Sequence, residues 1–355
     1  MNRSIWAWVR LLGGVGILAV LFWRLGTGAF LDGLRVIDAG TLGAAFAIGV
    51  ATTVLCAWRW CLVARGLGLR LSLRTAVADY YKALFINAAL PGGVLGDVDR
   101  AVQHGREEGD VGRSVRAVVL ERTAGQIVLL SVGLTVLLTV PSPVLTQLRA
   151  HGADVAVAAG TLAVAAVVLV IAVGRLRSGA SRWARAARTA VAEIRAGLLA
   201  RRNWPGIVLA STAVLAGHLA TFVVAARAAG SQASLLRLAP LMLLALLAMA
   251  LPLNVGGWGP REGVTAWAFG AAGLSAAQGL TIAVVYGLFA FVAALPGLAV
   301  ILSRAVARRR ATARVGITVQ PQVTGSGRSA AAVLEILPVR PGTAAPVREL
   351  VGSGA

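Results

Sequence analysis

Long apolar runs separated by arginine-rich connections dominate this chain. Runs near 5–23, 40–62, 115–140, 155–173, 207–229, 238–254 and 276–302 approach or exceed the length needed to cross a membrane, which for an α-helix is about 20 residues over roughly 30 Å of hydrocarbon. Two further apolar pieces, 80–96 and 256–272, are interrupted by glycines. The first is predicted to be a re-entrant segment, and the second either re-entrant or a short crossing. The pattern predicts an all-α fold: a polytopic integral membrane protein of about eight transmembrane helices with two Gly-rich broken or re-entrant segments.

Composition agrees with the pattern. Hydrophobic residues make up 58% of the chain and charged residues 14%, with a mean hydropathy of +0.80, more apolar material than a water-soluble domain of this size covers with polar surface. Arg3 and Arg10 before the apolar run 11–22 have the order of a secretory signal. No small-x-small cleavage site follows cleanly, and many spans come later, so the first run is read as an uncleaved helix. No soluble domain of recognisable pattern accompanies the spans, and no attached cytosolic enzyme is expected.

Lysine and arginine number 34 against 14 aspartates and glutamates, a net charge of +20, and their placement sets orientation through the positive-inside rule. Arg65, Arg70, Arg74 and Lys82 follow the second run, while Arg175, Arg177, Arg182, Arg185, Arg188, Arg195, Arg201 and Arg202 fill the connection 175–202. Both connections and the N-terminus are predicted to be cytoplasmic. Arg304, Arg308, Arg309, Arg310 and Arg314 put the C-terminal end on that side too. Seven crossings would place it outside, so 238–302 is read as three crossings, giving eight spans in the cell inner (cytoplasmic) membrane with both termini cytoplasmic.

The connection 175–202 carries Trp183, Ala184, Ala187, Val191, Ile194 and Leu198 at helical spacing among its arginines. An amphipathic helix of this kind serves either as an anchor at the headgroups or as a recruiter of anionic lipid toward a cavity. Nucleic acid is not expected as a partner despite a pI of 11.8, because the arginines flank spans and do not alternate with stacking aromatics on a soluble face. Beyond about Val306 the chain turns rich in Ala, Gly, Pro, Ser and Thr without sustained periodicity. The domain plan is therefore a membrane domain over 1–305 and a disordered, basic cytoplasmic tail over 306–355.

Cys56 and Cys61 lie on different faces of one helix and are read as core packing, not a bridge. His104, His151 and His218 are scattered without partners at ligand spacing, so no metal or other cofactor is expected. His218, inside a span, is read as a hydrogen-bond partner of a neighbouring helix.

Candidate chemistry concentrates at the two breaks, Leu90-Pro91-Gly92-Gly93-Val94-Leu95-Gly96-Asp97 and Asn254-Val255-Gly256-Gly257-Trp258-Gly259-Pro260-Arg261-Glu262, which lie 164 residues apart from Gly92 to Gly256. Hydrocarbon cannot satisfy the backbone groups that a broken helix frees, so each break must face protein or a water-filled cavity. Two such breaks point to two halves that each bring an interrupted element to a common site. In the first, Asp97 is predicted as the N-cap of a new helix, with Asp99 and Arg100 in its first turn. Glu121 and Arg122 stand within the apolar run that begins at Val115, ahead of Gly125. Ionised groups there read either as functional or as a structural ion pair, Glu121 with Arg100. In the second break Gly259 is predicted as the N-cap, Pro260 as the first helical residue and Glu262 as the third. That helix start, with Arg261, forms a candidate anion site.

The motifs Asn87-x-x-Leu90-Pro91-Gly92-Gly93 with Gly96-Asp97-x-x-Arg100, Glu121-Arg122-x-x-Gly125, and Gly256-Gly257-x-Gly259-x-Arg261-Glu262 resemble the membrane domain of the bacterial lysylphosphatidylglycerol synthase/flippase family, including its stand-alone members. The resemblance covers roughly residues 5–305. It implies an all-helical membrane fold with broken segments and, as in characterised members, movement of a modified phospholipid between leaflets. Larger members carry a soluble acyltransferase-type domain that transfers an amino acid from its tRNA. This chain has a low-complexity tail instead, so that synthase activity is not expected and the chain is not read as an enzyme. Two departures stand out. Leu95 occupies a position where the family commonly has another glycine, and Gly287 follows Tyr286 where many relatives place an arginine, which removes a possible headgroup contact.

Residues and resemblance together give a candidate substrate site of Asn87, Gly92, Gly93, Asp97, Arg100, Glu121, Arg122, Gly256, Gly257, Arg261 and Glu262. The expected function is flippase-type translocation of a lipid or lipid-linked substrate with a phosphate-containing headgroup. The alternative is a non-transporting membrane subunit or scaffold for a lipid-modifying enzyme or glycosyltransferase. The expected partner is a membrane lipid, anionic or lipid-linked, with a lipid-modifying enzyme as a further candidate. A membrane-embedded transferase using Asp97 or Glu262 as base lacks a nucleophile pair or metal to complete it.

Overall fold

A computed structural model of the chain describes residues 28–90, 93–150, 182–250 and 258–317, together with Thr161, Val168 and Arg175. The predicted span 5–23, nearly all of 155–173, and the tail beyond 317 lie outside the described residues. Two compact units are distinguished, Met1–Ala307 and Arg308–Ala355, and every candidate site residue lies in the first. The described elements are α-helices: α1 (Gly28–Arg35), α2 (Ala39–Gly66), α3 (Leu73–Ala89), α4 (Leu95–Glu108), α5 (Val111–Thr139), α6 (Pro143–Ala150), α7 (Arg182–Gly197), α8 (Trp204–Ala228), α9 (Leu235–Met249), α10 (Pro260–Ala271), α11 (Ala276–Ala294) and α12 (Pro296–Ile317).

Among the described residues, four stretches are long and apolar enough to cross a membrane: Ala39–Gly66, Val111–Thr139, Trp204–Ala228 and Ala276–Ala307. They answer to the predicted runs 40–62, 115–140, 207–229 and 276–302. The 28 residues of α2 extend about 42 Å at 1.5 Å per residue. Local chemistry sets the starts. Asp38 accepts from the Thr41 backbone N–H at 2.9 Å ahead of α2, Asp110 from Arg113 at 2.8 Å ahead of α5, and Ser234 and Ser275 cap α9 and α11. The run 238–254 is shorter than expected: α9 is apolar but has 15 residues and ends at Met249.

The broken piece 80–96 resolves into parts of two helices that fold back on each other. Lys82 on α3 pairs with Asp99 on α4 at 2.6 Å, and at the open end the Arg70 backbone N–H donates to Glu108 at 3.2 Å. The α3–α4 hairpin therefore starts and finishes at the same end, with Leu90 and Val94 at the other. A second hairpin follows the same plan. Helices α9 and α10 pack on each other, and Arg237 at the start of α9 donates to the Ala272 carbonyl just past α10 at 3.2 Å.

The helices that precede the two hairpins run in opposite directions. Gly206 of α8 lies against Leu62 and Trp58 of α2, and Gly217 lies against Thr52 and Ile48, so α8 rises as α2 descends, and small residues let the backbones approach. The two halves are related beyond this pair. Glu262 stands 165 positions after Asp97. The same offset, applied in opposite senses, brings the contact of Gly133 on α5 with Leu247 on α9 to within one residue of that of Gly297 on α12 with Tyr81 on α3. Two apolar clusters are each drawn mainly from one half, with Val214 of α8 joining the first and Ala45 of α2 the second. Trp60, Tyr80, Ala101 and Val118 pack together in the first, and Phe222, Leu241, Phe269 and Phe289 in the second.

Candidate functional site

The first hairpin delivers charge to the interior through a detail of its tip. Helix α4 begins at Leu95 behind Val94, which makes no side-chain cap, so Asp97 is in the first turn and not at the predicted N-cap. Asn87 from α3 does the capping instead. Its Oδ1 accepts from the Gly96 N–H at 2.8 Å while its Nδ2 donates to Asp97 at 3.2 Å. Freed from capping, the Asp97 carboxylate accepts from Arg100 Nε at 3.0 Å and from Arg122 Nη2 at 2.7 and 2.8 Å.

Behind that pair stands a fully buried carboxylate. Glu121 Oε2 accepts from Arg100 Nη2 at 2.8 Å, the pairing foreseen from the sequence, and Oε1 accepts from Arg59 at 2.5 and 3.0 Å and from the Tyr80 hydroxyl at 3.3 Å. The Arg100 guanidinium stacks 4.7 Å from the Trp60 ring centre and 4.4 Å from that of Tyr80, contacts that stabilise a desolvated cation. Arg59 donates onward to Ser211 of α8 at 3.0 Å. Gly125 matters here because a Cβ would stand 3.0 Å from the Arg59 guanidinium; it makes room for a charge as well as for a helix. Five ionised side chains thus form one connected network, in which two carboxylates are shared among three guanidiniums.

The second hairpin presents its charge differently. Gly259 has φ of 109°, a conformation open to glycine and strained for other residues, and its N–H donates to Glu262 Oε2 at 2.7 Å. This is the cap predicted from Gly259-Pro260 and Glu262. Glu262 Oε1 also accepts from Arg261 Nε at 2.9 Å and from Arg261 Nη2. The Arg261 guanidinium lies 5.1 Å from the Trp258 ring centre and 5.3 Å from that of Tyr286, and the Tyr286 hydroxyl is 3.0 Å from His218 Nδ1. His218 therefore bonds a neighbouring helix, as expected. The absence of a side chain at Gly287 has a structural role: a Cβ would collide with Arg261 Nη2 and stand 2.9 Å from Trp258. Gly287 does not simply delete a cationic contact, because Arg261 occupies the space beside it.

Beside the two hairpins lies a cavity of two adjoining lobes, about 300 and 360 Å³, whose walls are mostly apolar and whose shared polar groups are those of Thr52, Thr53, Arg122, His218 and Tyr286. Asn87, Gly93 and Arg122 reach it from the first half and Trp258 and Arg261 from the second. Asp97, Arg100 and Glu121 stand behind Arg122 in the network, and Glu262 stands behind Arg261. Gly92, Gly256 and Gly257 lie outside the described residues. Arg59 is not among the residues singled out from the sequence, although an arginine within the run 40–62 carries the same signal that marks Glu121. Neither is Asp79, which is buried and pairs with Arg304 at 2.6 Å, tying α3 to α12. Cys56 and Cys61 are buried and free. Among the described residues no group of three His, Cys, Asp or Glu side chains is placed to share a metal ion.

The helices that carry this cavity fall within the match to a family model described as lysylphosphatidylglycerol synthase TM region, over residues 7–297. The chain belongs to that family. Curated proteins yield no match. As a member of the lysylphosphatidylglycerol synthase TM family with several long apolar helices, the chain is a multi-pass membrane protein, and the family links it to lipid metabolism or transport.

Proposed function

We propose that the protein moves a lipid with a phosphate-containing headgroup across the cytoplasmic membrane, the polar groups of the cavity receiving the headgroup while the acyl chains remain in hydrocarbon. One observation carries this reading: two oppositely running halves each bring an arginine, Arg122 and Arg261, to the same cavity from beside a broken hairpin. Broken elements meeting at a polar site between inverted halves are the architecture of alternating-access transporters.

In this reading both hairpins are re-entrant. Arg65, Arg70 and Arg74 put the open end of α3–α4 on the cytoplasmic side, and the antiparallel packing of α2 and α8 puts the open end of α9–α10 on the opposite side. The plan then has six crossings with both termini cytoplasmic, two fewer than the eight expected from the sequence, because the α9–α10 hairpin turns back instead of crossing twice. The headgroup meets Arg261, Arg122 and the hydroxyls of Thr52 and Thr53. No catalytic step is assigned to the cavity, and the carboxylates serve as counter-ions. A scaffold role, with a lipid-modifying enzyme docked on the arginines of α7, is the competing reading. Reconstitution separates the two: transbilayer movement of a fluorescent phosphatidylglycerol in liposomes containing the purified chain supports translocation, and its absence in folded protein favours the scaffold.

A further inference from the structure

A second space adjoins this cavity, and its walls are more apolar still. Between α4 and α5 runs a groove of about 660 Å³, inside the roughly 300–1,000 Å³ typical of ligand pockets. It extends from Gly93, Asp97 and Arg122 along Val98, Val119 and Ile127, and each of these three apolar side chains is exposed on the outer surface of the bundle. Arg122 lines this groove and both lobes of the cavity. Among the charged residues of the two hairpin networks, it is the one that lines the groove and both lobes of the cavity.

The pairing of Arg122 leaves it capacity. Its side chain is 42% exposed, its buried Nε has no hydrogen-bond partner, and it shares Asp97 with Arg100. Among the described residues of the two charge clusters, four arginines (59, 100, 122 and 261) face three carboxylates (Asp97, Glu121 and Glu262), an excess of one positive charge. The neighbouring stretches 91–92 and 251–257 contain no ionisable residue. An uncompensated charge at membrane depth is costly, and a single anionic group removes that cost.

We propose that the groove holds one acyl chain of an anionic glycerophospholipid whose phosphodiester binds Arg122, so that the lipid is admitted sideways from the bilayer between α4 and α5. A phosphodiester carries one negative charge and matches the excess. A zwitterionic headgroup brings no net charge, and a lipid diphosphate brings more than the site neutralises. A chain in the groove stays in apolar surroundings while its headgroup turns toward the cavity. The purpose of this doorway rests on the translocation reading; the binding itself does not.

The test uses phosphatidylglycerol with a diazirine in one acyl chain, incorporated with the full-length protein in nanodiscs, and maps the cross-links by mass spectrometry. Labels are expected to concentrate in 94–101 and 115–130, to fall about tenfold in Arg122→Gln through loss of one charge-assisted contact, and to persist in Arg122→Lys. Val119→Trp, at an exposed position, is expected to remove the label by filling the groove, whereas Leu209→Trp on α8 leaves it in place. The same diazirine on phosphatidylcholine or a polyprenyl diphosphate is expected to label these helices no more than the rest of the perimeter. Even labelling around the bundle, labelling unaffected by Arg122→Gln, or equal enrichment by either of those probes overturns the proposal. If Arg122-dependent labelling is found but liposomes show no lipid movement, the site stands and the translocation reading falls. If lipid moves while labelling is independent of Arg122, translocation stands and the groove site falls.

Discussion

Glu121 on α5 holds Arg59 on α2 through a single carboxylate oxygen, 2.5 Å from Nη2 and 3.0 Å from Nε. Its other oxygen binds Arg100 on α4, so one buried carboxylate joins the first hairpin to the two long helices that flank it. Glu121→Gln is expected to destabilise the protein by roughly 3–5 kcal/mol, since it strands two desolvated guanidiniums. Thermal unfolding in detergent measures this, and an unchanged midpoint would show that the network does not hold the hairpin.

Gly287 and Arg261 are a second such relationship, made by space instead of charge. Gly287→Ala forces the guanidinium and the Trp258 ring away from α11. The expected result is a stability loss of about 1–3 kcal/mol, the usual range for overpacking, with a larger fall in lipid movement than in folded protein. Tryptophan emission reports the shift of Trp258 in the same sample. Wild-type transport by this variant would mean that the position of Arg261 is not critical.

Much of this architecture is legible in the sequence because it rests on local chemistry. Gly-Pro followed by Glu262 announces a capped helix start, and an acid with an arginine in an apolar run announces an ion pair. The illegible part depends on which segments lie alongside each other. Asp97 looks like a cap because nothing in its own segment shows that Asn87, ten residues earlier, satisfies the Gly96 amide. Arg59 sits between Trp58 and Trp60 in a run otherwise read as one span, and its partners are 62 and 152 residues away. Gly287 reads as a missing arginine until Arg261 is seen beside it. The length of α9 escapes a sequence reading because apolar residues continue past Met249 after the helix has ended.

The opposed directions of the two halves have a direct consequence for topology. In a variant without Cys56 and Cys61, a cysteine at Gln232, between α8 and α9, is expected to react with a membrane-impermeant maleimide added to intact cells. One at Leu199, between α7 and α8, is expected to react only after lysis. Both positions are exposed. Labelling of Leu199→Cys from outside would reverse the assignment of the basic connections to the cytoplasm.

A cation at the second hairpin that receives the lipid headgroup is central to the proposed function. Arg261→Gln alone is a blunt test, because it strands the buried Glu262 beside it. The double change Arg261→Gln with Glu262→Gln removes the pair together and keeps an amide oxygen to accept from the Gly259 N–H, so the helix cap persists. The decisive measurement is the rate at which a fluorescent phosphatidylglycerol crosses proteoliposome membranes, read by dithionite quenching and normalised to folded protein. The wild type is expected to move the lipid, and the double variant to lose that movement while unfolding at nearly the wild-type temperature. Undiminished transport by the folded double variant would contradict the role of Arg261.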